Sequence, residues 1–256
     1  MEQREEPTPL TRHVISAGLR ELGLGQGDVV EVHSSLRSFG KVEGGASTIV
    51  NALMEVVGPE GAIIMSAYPL SLPVPLTAEE RARGLAWKVR RLDEDSHERT
   101  GMGAIVDEFR RRPGVKCGSG LHRVCAWGRQ AELHCQLGYA ALLESDGWAL
   151  LAGVGIDRLS SMHQAESRVG LPAEVERCFA IPEELRRDYP APEWEIGCGG
   201  TPEDAWGKVW QEALHRQLVR QQRIGQAECK LFKARAVEGI YEDWLRSDPL
   251  GLFGLR

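Results

Sequence analysis

The chain has 256 residues, of which 42% are hydrophobic and 27% are charged, and its formal net charge is −6. These values are typical of a globular protein with a sizeable core, whereas a nucleic-acid-binding protein normally carries a basic face. No segment approaches the ~20 consecutive apolar residues that a membrane-spanning helix needs. The charged N-terminus lacks the apolar core of an export signal, so we expect a cytoplasmic protein that contacts neither nucleic acid nor membrane.

The cysteine pattern predicts thiols rather than a disulfide framework or a metal site. There are six cysteines, none in a C-x-x-C pair, and their spacing is irregular: 117, 125, 135, 178, 198 and 229. In a cytoplasmic protein such cysteines are normally reduced. We therefore expect six free thiols and no bound metal.

The first quarter of the chain predicts a strand–helix–strand unit. Apolar residues at helical spacing indicate a helix over Pro9–Leu24, and β-branched Asp28–His33 is typical of a buried strand. A helix over Ala46–Val57 and a strand over Ala62–Met65 follow. We expect the two strands to be parallel, with a right-handed crossover.

The middle of the chain begins with an irregular segment, Tyr68–Thr100, rich in proline and charge. Segments of this length without periodicity are often substrate loops or lids. Helix and strand patterns then alternate: a helix over Gly103–Arg112, a strand over Leu121–Trp127, a helix over Gly128–Glu144 and a strand over Trp148–Val154.

The last third predicts a helix over Ser160–Val169, a strand over Arg177–Ile181, a loop over Pro190–Pro202 and a long helix over Pro202–Arg223. Alternating strands and helices indicate an α/β fold. We expect a single domain over residues 1–256, with a central mixed, largely parallel sheet flanked by helices and a helical C-terminal elaboration.

Polar residues directly after the first strand are candidates for binding an anion. Residues 33–35 read His-Ser-Ser, Arg37 and Lys41 add positive charge, and Gly44-Gly45 allows close backbone approach. Hydroxyls and amides at a strand end can hold a diphosphate. The same residues also suit an ordinary helix-capping turn, and neither a Walker loop nor a GxGxxG fingerprint is present.

A second junction supplies a candidate base. The strand ending near Val154 leads to His163, and Glu166 would lie on the same face of a helix. Histidine can serve as a general base near neutral pH, and a carboxylate can fix its tautomer or hold a cationic substrate. Asp157 and the Asp93–Asp95 cluster are other candidate partners. The alternative is a helix-cap histidine with a solvated glutamate, and His122 within an apolar strand suits a structural role.

The order of these segments resembles the aminoglycoside 3-N-acetyltransferase family, whose fold differs from that of the GCN5-related acetyltransferases. The first segment resembles the family's VHSSLRSxG stretch, and the fifth its LLLGVGxxxxTxxHxAE stretch. Six segments carry the resemblance in the family's order: Val30–Gly40, Asn51–Gly61, Thr100–Arg110, His122–Gly128, Asp146–Glu166 and Ile224–Phe232.

The resemblance implies an enzyme that uses acetyl-CoA as co-substrate. His163 would be the catalytic base that accepts the proton of the attacking amine, and Glu166 would orient it or hold the acceptor. The resemblance further implies two groups of coenzyme A contacts: Ser34, Ser35, Leu36 and Arg37 at the first junction, and His122, Arg123 and Val124 beside the pantetheine arm. The acetyl group would pass directly to the amine.

The resemblance is weakest between residues 66 and 100. Met65–Leu76 has no carboxylate, and Leu92–Thr100 lacks the two prolines of the family's FDPxxTP segment. A polycationic aminoglycoside needs carboxylates in its pocket, so the acceptor could instead be another small, cationic amine. A non-catalytic coenzyme A-binding protein and a hydrolase are further alternatives. A homodimer is compatible with the sequence.

Overall fold

The computed structural model describes residues 8–67, 70–93, 96–118 and 123–256. Its larger sheet has seven strands in the order β5-β6-β2-β1-β7-β10-β9. The bounds are β1 Val29–Ser34, β2 Ala62–Ser66, β5 Lys116–Cys117, β6 Val124–Gly128, β7 Trp148–Ala152, β9 Arg220–Ile224 and β10 Ala227–Lys233.

Only the centre of this sheet is parallel. β1 pairs in parallel with β2 on one side and with β7 on the other, and every other pair in the sheet is antiparallel. The sheet is mixed, as expected, but the prediction that it is largely parallel is wrong. The reason lies at its edges, where β5–β6 and the β9–β10 hairpin both join antiparallel.

A smaller antiparallel sheet has the order β3-β4-β8, with bounds β3 Ser71–Pro73, β4 Leu85–Arg91 and β8 Trp194–Cys198. Its strands come from two segments that were expected to lack regular structure, residues 68–100 and 190–202. Those predictions are wrong because β3 and β8 are short, and because proline or glycine lies in or directly beside each of the three strands. On β8 only alternate residues, Ile196 and Cys198, are buried.

Twelve helices surround the sheets in the described part of the chain: α1 Arg12–Leu22, α2 Ala46–Val57, α3 Ala78–Ala82, α4 Ala104–Phe109, α5 Ala131–Leu137, α6 Tyr139–Glu144, α7 His163–Val169, α8 Ala173–Cys178, α9 Glu183–Asp188, α10 Ala205–His215, α11 Ala234–Ser247 and α12 Pro249–Leu252. The expected β1-α2-β2 unit is confirmed. Within the described residues, we find no helix whose length and apolar content would let it cross a membrane.

Three of the expected elements differ from the structure. The helix expected over Gly128–Glu144 is divided into α5 and α6 at Gly138, whose φ is +58°. The strand expected over Arg177–Ile181 is wrong, because the end of α8 occupies its start and only Val175 of that short helix is buried. The helix expected over Pro202–Arg223 ends at His215. The last residues of the predicted helix belong instead to the polar edge strand β9, so the C-terminal elaboration is not only helical.

Apolar layers cover both faces of the larger sheet. Side chains along a strand alternate between faces, and Val30 and Val32 on β1 pack in the layer formed with α1, α2 and α4. The opposite layer contains Ala149 and Leu151 of β7 together with α6, α10 and α11. Glu31 therefore enters this second layer, where its carboxylate is fully buried.

Cys117 and Cys125 form a disulfide between β5 and β6. The two residues are directly opposite each other, with their Cα atoms 4.2 Å apart. The prediction of six free thiols is therefore wrong for this pair. The other four cysteines are free, and Cys198 and Cys229 are buried among apolar side chains.

Candidate active site

A cavity of about 830 Å³ opens at the carboxyl ends of the parallel strands. Ligands of α/β proteins commonly bind at this edge. Its walls come from the ends of β1 and β2, the segment after β7 and the loop before α4. The lining residues are Val32, His33, Ser34, Ser35, Leu36, Arg37, Ser66, Arg99, Gly101, Met102, Gly103, Ala104, Val106, Gly153, Val154, Gly155, Asp157, Arg158 and Ser160.

The first predicted group of binding residues, residues 34–37, lines this cavity as one continuous segment. The Ser34 hydroxyl oxygen is buried and has no hydrogen-bond partner among the described residues, so it is available to a ligand. Ser38 fixes the turn by donating a 2.8 Å hydrogen bond to the Gly153 carbonyl. Gly153 has a φ of +73°, and a Cβ there would lie 2.3 Å from that of Ser38. The two junctions are therefore held together at the cavity wall.

Positive charge predominates in the cavity wall. Three arginines line it: Arg37, Arg99 and Arg158. Asp157 is the carboxylate among the described lining residues, and its Oδ2 lies 3.0 Å from Arg158 Nε. Such a wall favours an anionic ligand. Arg99 was not singled out from the sequence. The next residue, Thr100, donates hydrogen bonds from its amide and its hydroxyl to Asp107 of α4, and these fix the segment that carries Arg99.

His163 and Glu166 form a pair on the first turn of α7. The two atoms, His163 Nδ1 and Glu166 Oε2, are 2.8 Å apart, as the i,i+3 spacing predicts. Tyr241 of α11 donates a 2.8 Å hydrogen bond to the other carboxylate oxygen. Trp206 packs its edge against the imidazole, with ring centroids 5.0 Å apart. The histidine side chain is 41% exposed and that of the glutamate 24%.

The surroundings fix the roles of these groups. Burial raises the pKa of Tyr241 and the Glu166 carboxylate raises it further, so the hydroxyl remains a donor at neutral pH. With Nδ1–H donated to Glu166, Nε2 is the nitrogen of His163 that can accept a proton. Such an arrangement can support general-base chemistry. Tyr241 lies in a helix that the sequence analysis had not predicted.

One other candidate partner of His163, Asp157, lies elsewhere. Asp157 pairs with Arg158 at the cavity wall. Asp93 precedes two residues, 94 and 95, that lie outside the described part of the chain. His163 itself is not among the described cavity-lining residues, but Ser160 is, at the start of the 3₁₀ turn Ser160–Met162 that leads directly into His163.

The second predicted group of binding residues is placed in part. His122 lies outside the described residues. The Arg123 carbonyl accepts a 3.0 Å hydrogen bond from Ala67, and Val124 is paired with Ser66 at the end of β2. Because Ser66 lines the cavity, this segment adjoins its rim. The Val124 side chain is fully buried and contributes to the core.

A second histidine–carboxylate pair lies beneath the cavity. His33 Nε2 is 2.5 Å from Glu31 Oε1, and the Ser161 amide donates to the same oxygen at 3.2 Å. His33 lines the cavity, although only 8% of the residue is exposed. The sequence carried a signal for this pair, since Glu31 interrupts an otherwise β-branched strand. No group of three or more His, Cys, Asp or Glu side chains suited to a metal occurs in the described ranges.

Several known proteins are similar to this chain. A protein from Bacillus subtilis, "SPbeta prophage-derived aminoglycoside N(3')-acetyltransferase-like protein YokD", is 31% identical, covering 92% of each chain. Aminoglycoside N(3)-acetyltransferase VIII from Streptomyces fradiae is 28% identical, covering 96% of this chain and 95% of its own.

A solved structure of AAC-IIIb in a binary complex with CoASH superimposes with a TM-score of 0.69. The match covers 93% of this chain and 97% of that chain at 24% identity, which establishes the likeness of fold. The family model for aminoglycoside 3-N-acetyltransferases matches residues 32–246, a range that contains the cavity turn, His163 and Tyr241. The chain belongs to the aminoglycoside 3-N-acetyltransferase family.

Proposed function

We propose that this protein transfers the acetyl group of acetyl-CoA to the 3-amino group of an aminoglycoside, with His163 as the general base. The observation that carries the proposal is the His163–Glu166–Tyr241 chain of hydrogen bonds, one helical turn from a cavity with a positive wall. Family membership supplies the reaction class, and the geometry supplies residues for each step.

The residues of the cavity fit coenzyme A. Its phosphates need cations and hydrogen-bond donors, which Arg37, Arg99 and the buried Ser34 hydroxyl can supply. A cavity of about 830 Å³ lies within the size range of small-molecule and cofactor sites. Ser34, Ser35, Leu36 and Arg37 would hold the cofactor on one side, and His122, Arg123 and Val124 would flank its pantetheine arm.

His163 provides what the acceptor requires. An alkyl amine is mostly protonated at neutral pH, so a base must take up a proton as the lone pair attacks the thioester carbon. His163 Nε2 accepts that proton, while Glu166 stabilises the resulting imidazolium through Nδ1–H. The new C–N bond replaces the C–S bond, whose electron pair leaves with sulfur. Holding both substrates in one cleft supplies the proximity contribution.

The test is thiol release from acetyl-CoA with purified protein, compared across 2-deoxystreptamine aminoglycosides, simple amines and no acceptor. We expect release with the aminoglycosides and acetylation at the 3-amine, identified by NMR of the product. Release only with other amines would support the alternative acceptor class. Release without any amine would indicate a hydrolase, and binding of acetyl-CoA without turnover would indicate a non-catalytic protein.

Three expectations remain predictions. Acetyl-CoA is a cytoplasmic metabolite, so we expect the enzyme to act in the cytoplasm. A homodimer is testable by light scattering. Residues 1–256 are expected to unfold as one cooperative domain, which calorimetry can examine.

A further inference from the structure

We propose that Arg168 is a positioning residue, which anchors α7 to α11 and thereby holds His163 where it can accept the proton of the acceptor amine. The inference rests on the proposed function, because it names a residue that acts through the proposed base. It starts from a charge cluster that the reaction outlined above does not use: Arg168 of α7 with Glu238 and Glu242 of α11.

The first step is that α7 is poorly fixed by its own sequence. It has seven residues, and helices shorter than about 12 residues are marginally stable on their own. Its N-cap, Met162, provides no side-chain hydrogen bond, and of its seven residues, all of which the structure describes, only Ala165 is buried. Apolar burial therefore contributes little to holding the helix that begins with His163.

The second step is that the start of α7 is fixed but its direction is not. The Ser161 amide, in the turn directly before the helix, donates a 3.2 Å hydrogen bond to Glu31 of β1. This contact determines where α7 begins. The direction of the helix depends on contacts further along it, and these are made with α11.

The third step is that α11 provides a rigid surface for these contacts. Six of its fourteen residues are buried: Ala234, Val237, Glu238, Ile240, Tyr241 and Leu245. The helix is therefore held firmly in the core layer on its side of the larger sheet. Glu166 makes the first connection to it by accepting the hydrogen bond of Tyr241 at 2.8 Å.

The fourth step is the second connection, which Arg168 makes. Its guanidinium donates to Glu238 and, one turn further along α11, to Glu242, from Nε at 3.0 Å and from Nη2 at 2.6 Å. A planar guanidinium that binds two carboxylates defines a direction as well as a distance. Tyr241 lies between these two glutamates in the sequence. The contacts of Arg168 and Glu166 together therefore fix both the position and the rotation of α7.

The burial of Glu238 strengthens this connection. Only 2% of its side chain is exposed. Burial raises the pKa of the Glu238 carboxyl, and the charge of Arg168 is the largest influence that opposes the rise. A buried carboxylate needs a charged partner, and among the described residues Glu238 forms its ion pair with Arg168. Each of the two side chains therefore holds the other in place.

A purely stabilising role is the competing explanation. Removal of Arg168 alone leaves Glu238 buried without its partner, which can destabilise the whole fold. The double variant Arg168→Met/Glu238→Met removes both charges, and such replacements are often neutral for stability. A positioning role predicts that kcat stays low in the double variant even when its thermal stability returns. A stabilising role predicts that kcat returns with the stability.

The experiment measures thermal unfolding, the Kd of coenzyme A and kcat for thiol release in the wild type, Arg168→Met and the double variant. Arg246→Met is the matched control, because Arg246 binds the same Glu242 from within α11, at 2.7 Å. We expect both Arg168 variants to lower kcat by about 10-fold to 10²-fold, with the Kd unchanged. A wild-type kcat in the double variant overturns the inference, and so does an equal loss in Arg246→Met.

A double-mutant cycle with His163→Ala tests whether Arg168 acts through the base. A residue that acts only through His163 has no further effect once that imidazole is gone. We therefore expect Arg168→Met to lower the residual rate of His163→Ala by no more than about 2-fold. A larger loss in this background overturns the inference.

Amide hydrogen exchange, followed by mass spectrometry, provides a readout that does not require turnover. We expect exchange within His163–Val169 to rise about 10-fold or more in the double variant and to stay unchanged in Arg246→Met. Unchanged exchange of α7 in the double variant overturns the inference. An inactive wild type whose α7 responds as expected would overturn the proposed function and support the anchoring of α7 by Arg168.

Discussion

The molecule places two histidine–glutamate pairs on either side of one 3₁₀ turn, and they differ in almost every respect. His163 and Glu166 lie three residues apart on a helix and are partly exposed, and His163 Nδ1 is 2.8 Å from Glu166 Oε2. His33 and Glu31 lie two residues apart on a central strand and are buried, and His33 Nε2 is 2.5 Å from Glu31 Oε1.

The difference shows how the setting of a pair determines its chemistry. A partly exposed pair can exchange protons with water after each turnover, as a general base must. A buried pair is shielded from water and keeps its geometry, and this suits a role in fixing the neighbouring backbone. Under the proposed function the exposed pair suits proton removal, whereas Glu31 and His33 hold residues 160–161 in place.

Apart from the loss of His163 itself, the largest effect is expected when the orientation of that histidine is lost. Glu166→Gln replaces the carboxylate that stabilises the imidazolium, and we expect kcat to fall by about 10²-fold, at the low end of the contribution of a general base. Steady-state thiol release measures it. Glu174→Gln, at an exposed carboxylate paired with Arg177, is the control. Equal rates for the two variants would contradict the role of Glu166.

The next effect concerns the positively charged wall of the cavity. Arg37→Ala removes a cation from the cavity, and we expect the Kd of coenzyme A to rise about 10-fold, since a charge-assisted hydrogen bond contributes ~1.5 kcal/mol or more. Calorimetric titration measures the Kd. The control is Arg177→Ala, whose side chain is 72% exposed. An unchanged Kd would place the phosphates elsewhere.

A smaller effect is expected from Tyr241, which donates a hydrogen bond to the exposed pair. Tyr241→Phe deletes the hydroxyl that donates to Glu166 and leaves the aromatic packing against Trp206 in place. One such hydrogen bond contributes ~1 kcal/mol, so we expect kcat to fall about 5-fold. An unchanged kcat would show that Glu166 is held adequately without it.

Much of the fold and half of the site follow from local patterns. The β1-α2-β2 unit could be predicted because its strands are short apolar runs and its helix has one apolar face. The pairing of His163 with Glu166 could be predicted from their spacing. β9 could not, because an exposed edge strand reading Arg-Gln-Gln-Arg-Ile has the polarity of a helix surface.

The remainder of the site depends on tertiary contacts between distant segments. Tyr241 is 75 residues from Glu166, and nothing local to either marks their contact. Arg99 lies in a segment whose position depends on Asp107 of α4. Glu31 was visible in the sequence as a carboxylate within an apolar strand, but its hydrogen bond with the Ser161 amide needs the adjacency of β1 and β7.

The smallest effect concerns Glu80, a structural carboxylate that belongs to neither histidine–glutamate pair. Lys88, Tyr189 and Thr77 donate to Glu80, and they lower its pKa to about 2 from 4.5. Because the pKa is lower in the folded state, the carboxylate stabilises the fold above pH 4.5 and loses this contribution as the pH falls towards 2.

We therefore expect Glu80→Gln to unfold at a lower temperature than the wild type at pH 7, by a margin that shrinks between pH 5 and pH 3. Scanning calorimetry across this range measures the margin. At pH 7 we expect kcat to be unchanged. A lowered kcat would contradict a purely structural role of Glu80.

The most direct test of the central claim is chemical rescue of His163→Ala. With acetyl-CoA and a 2-deoxystreptamine aminoglycoside, we expect this variant to release thiol about 10³-fold more slowly than the wild type. Added imidazole should restore part of the rate, and coenzyme A should bind with unchanged affinity. A variant that turns over at the wild-type rate would contradict the assignment of His163 as the base.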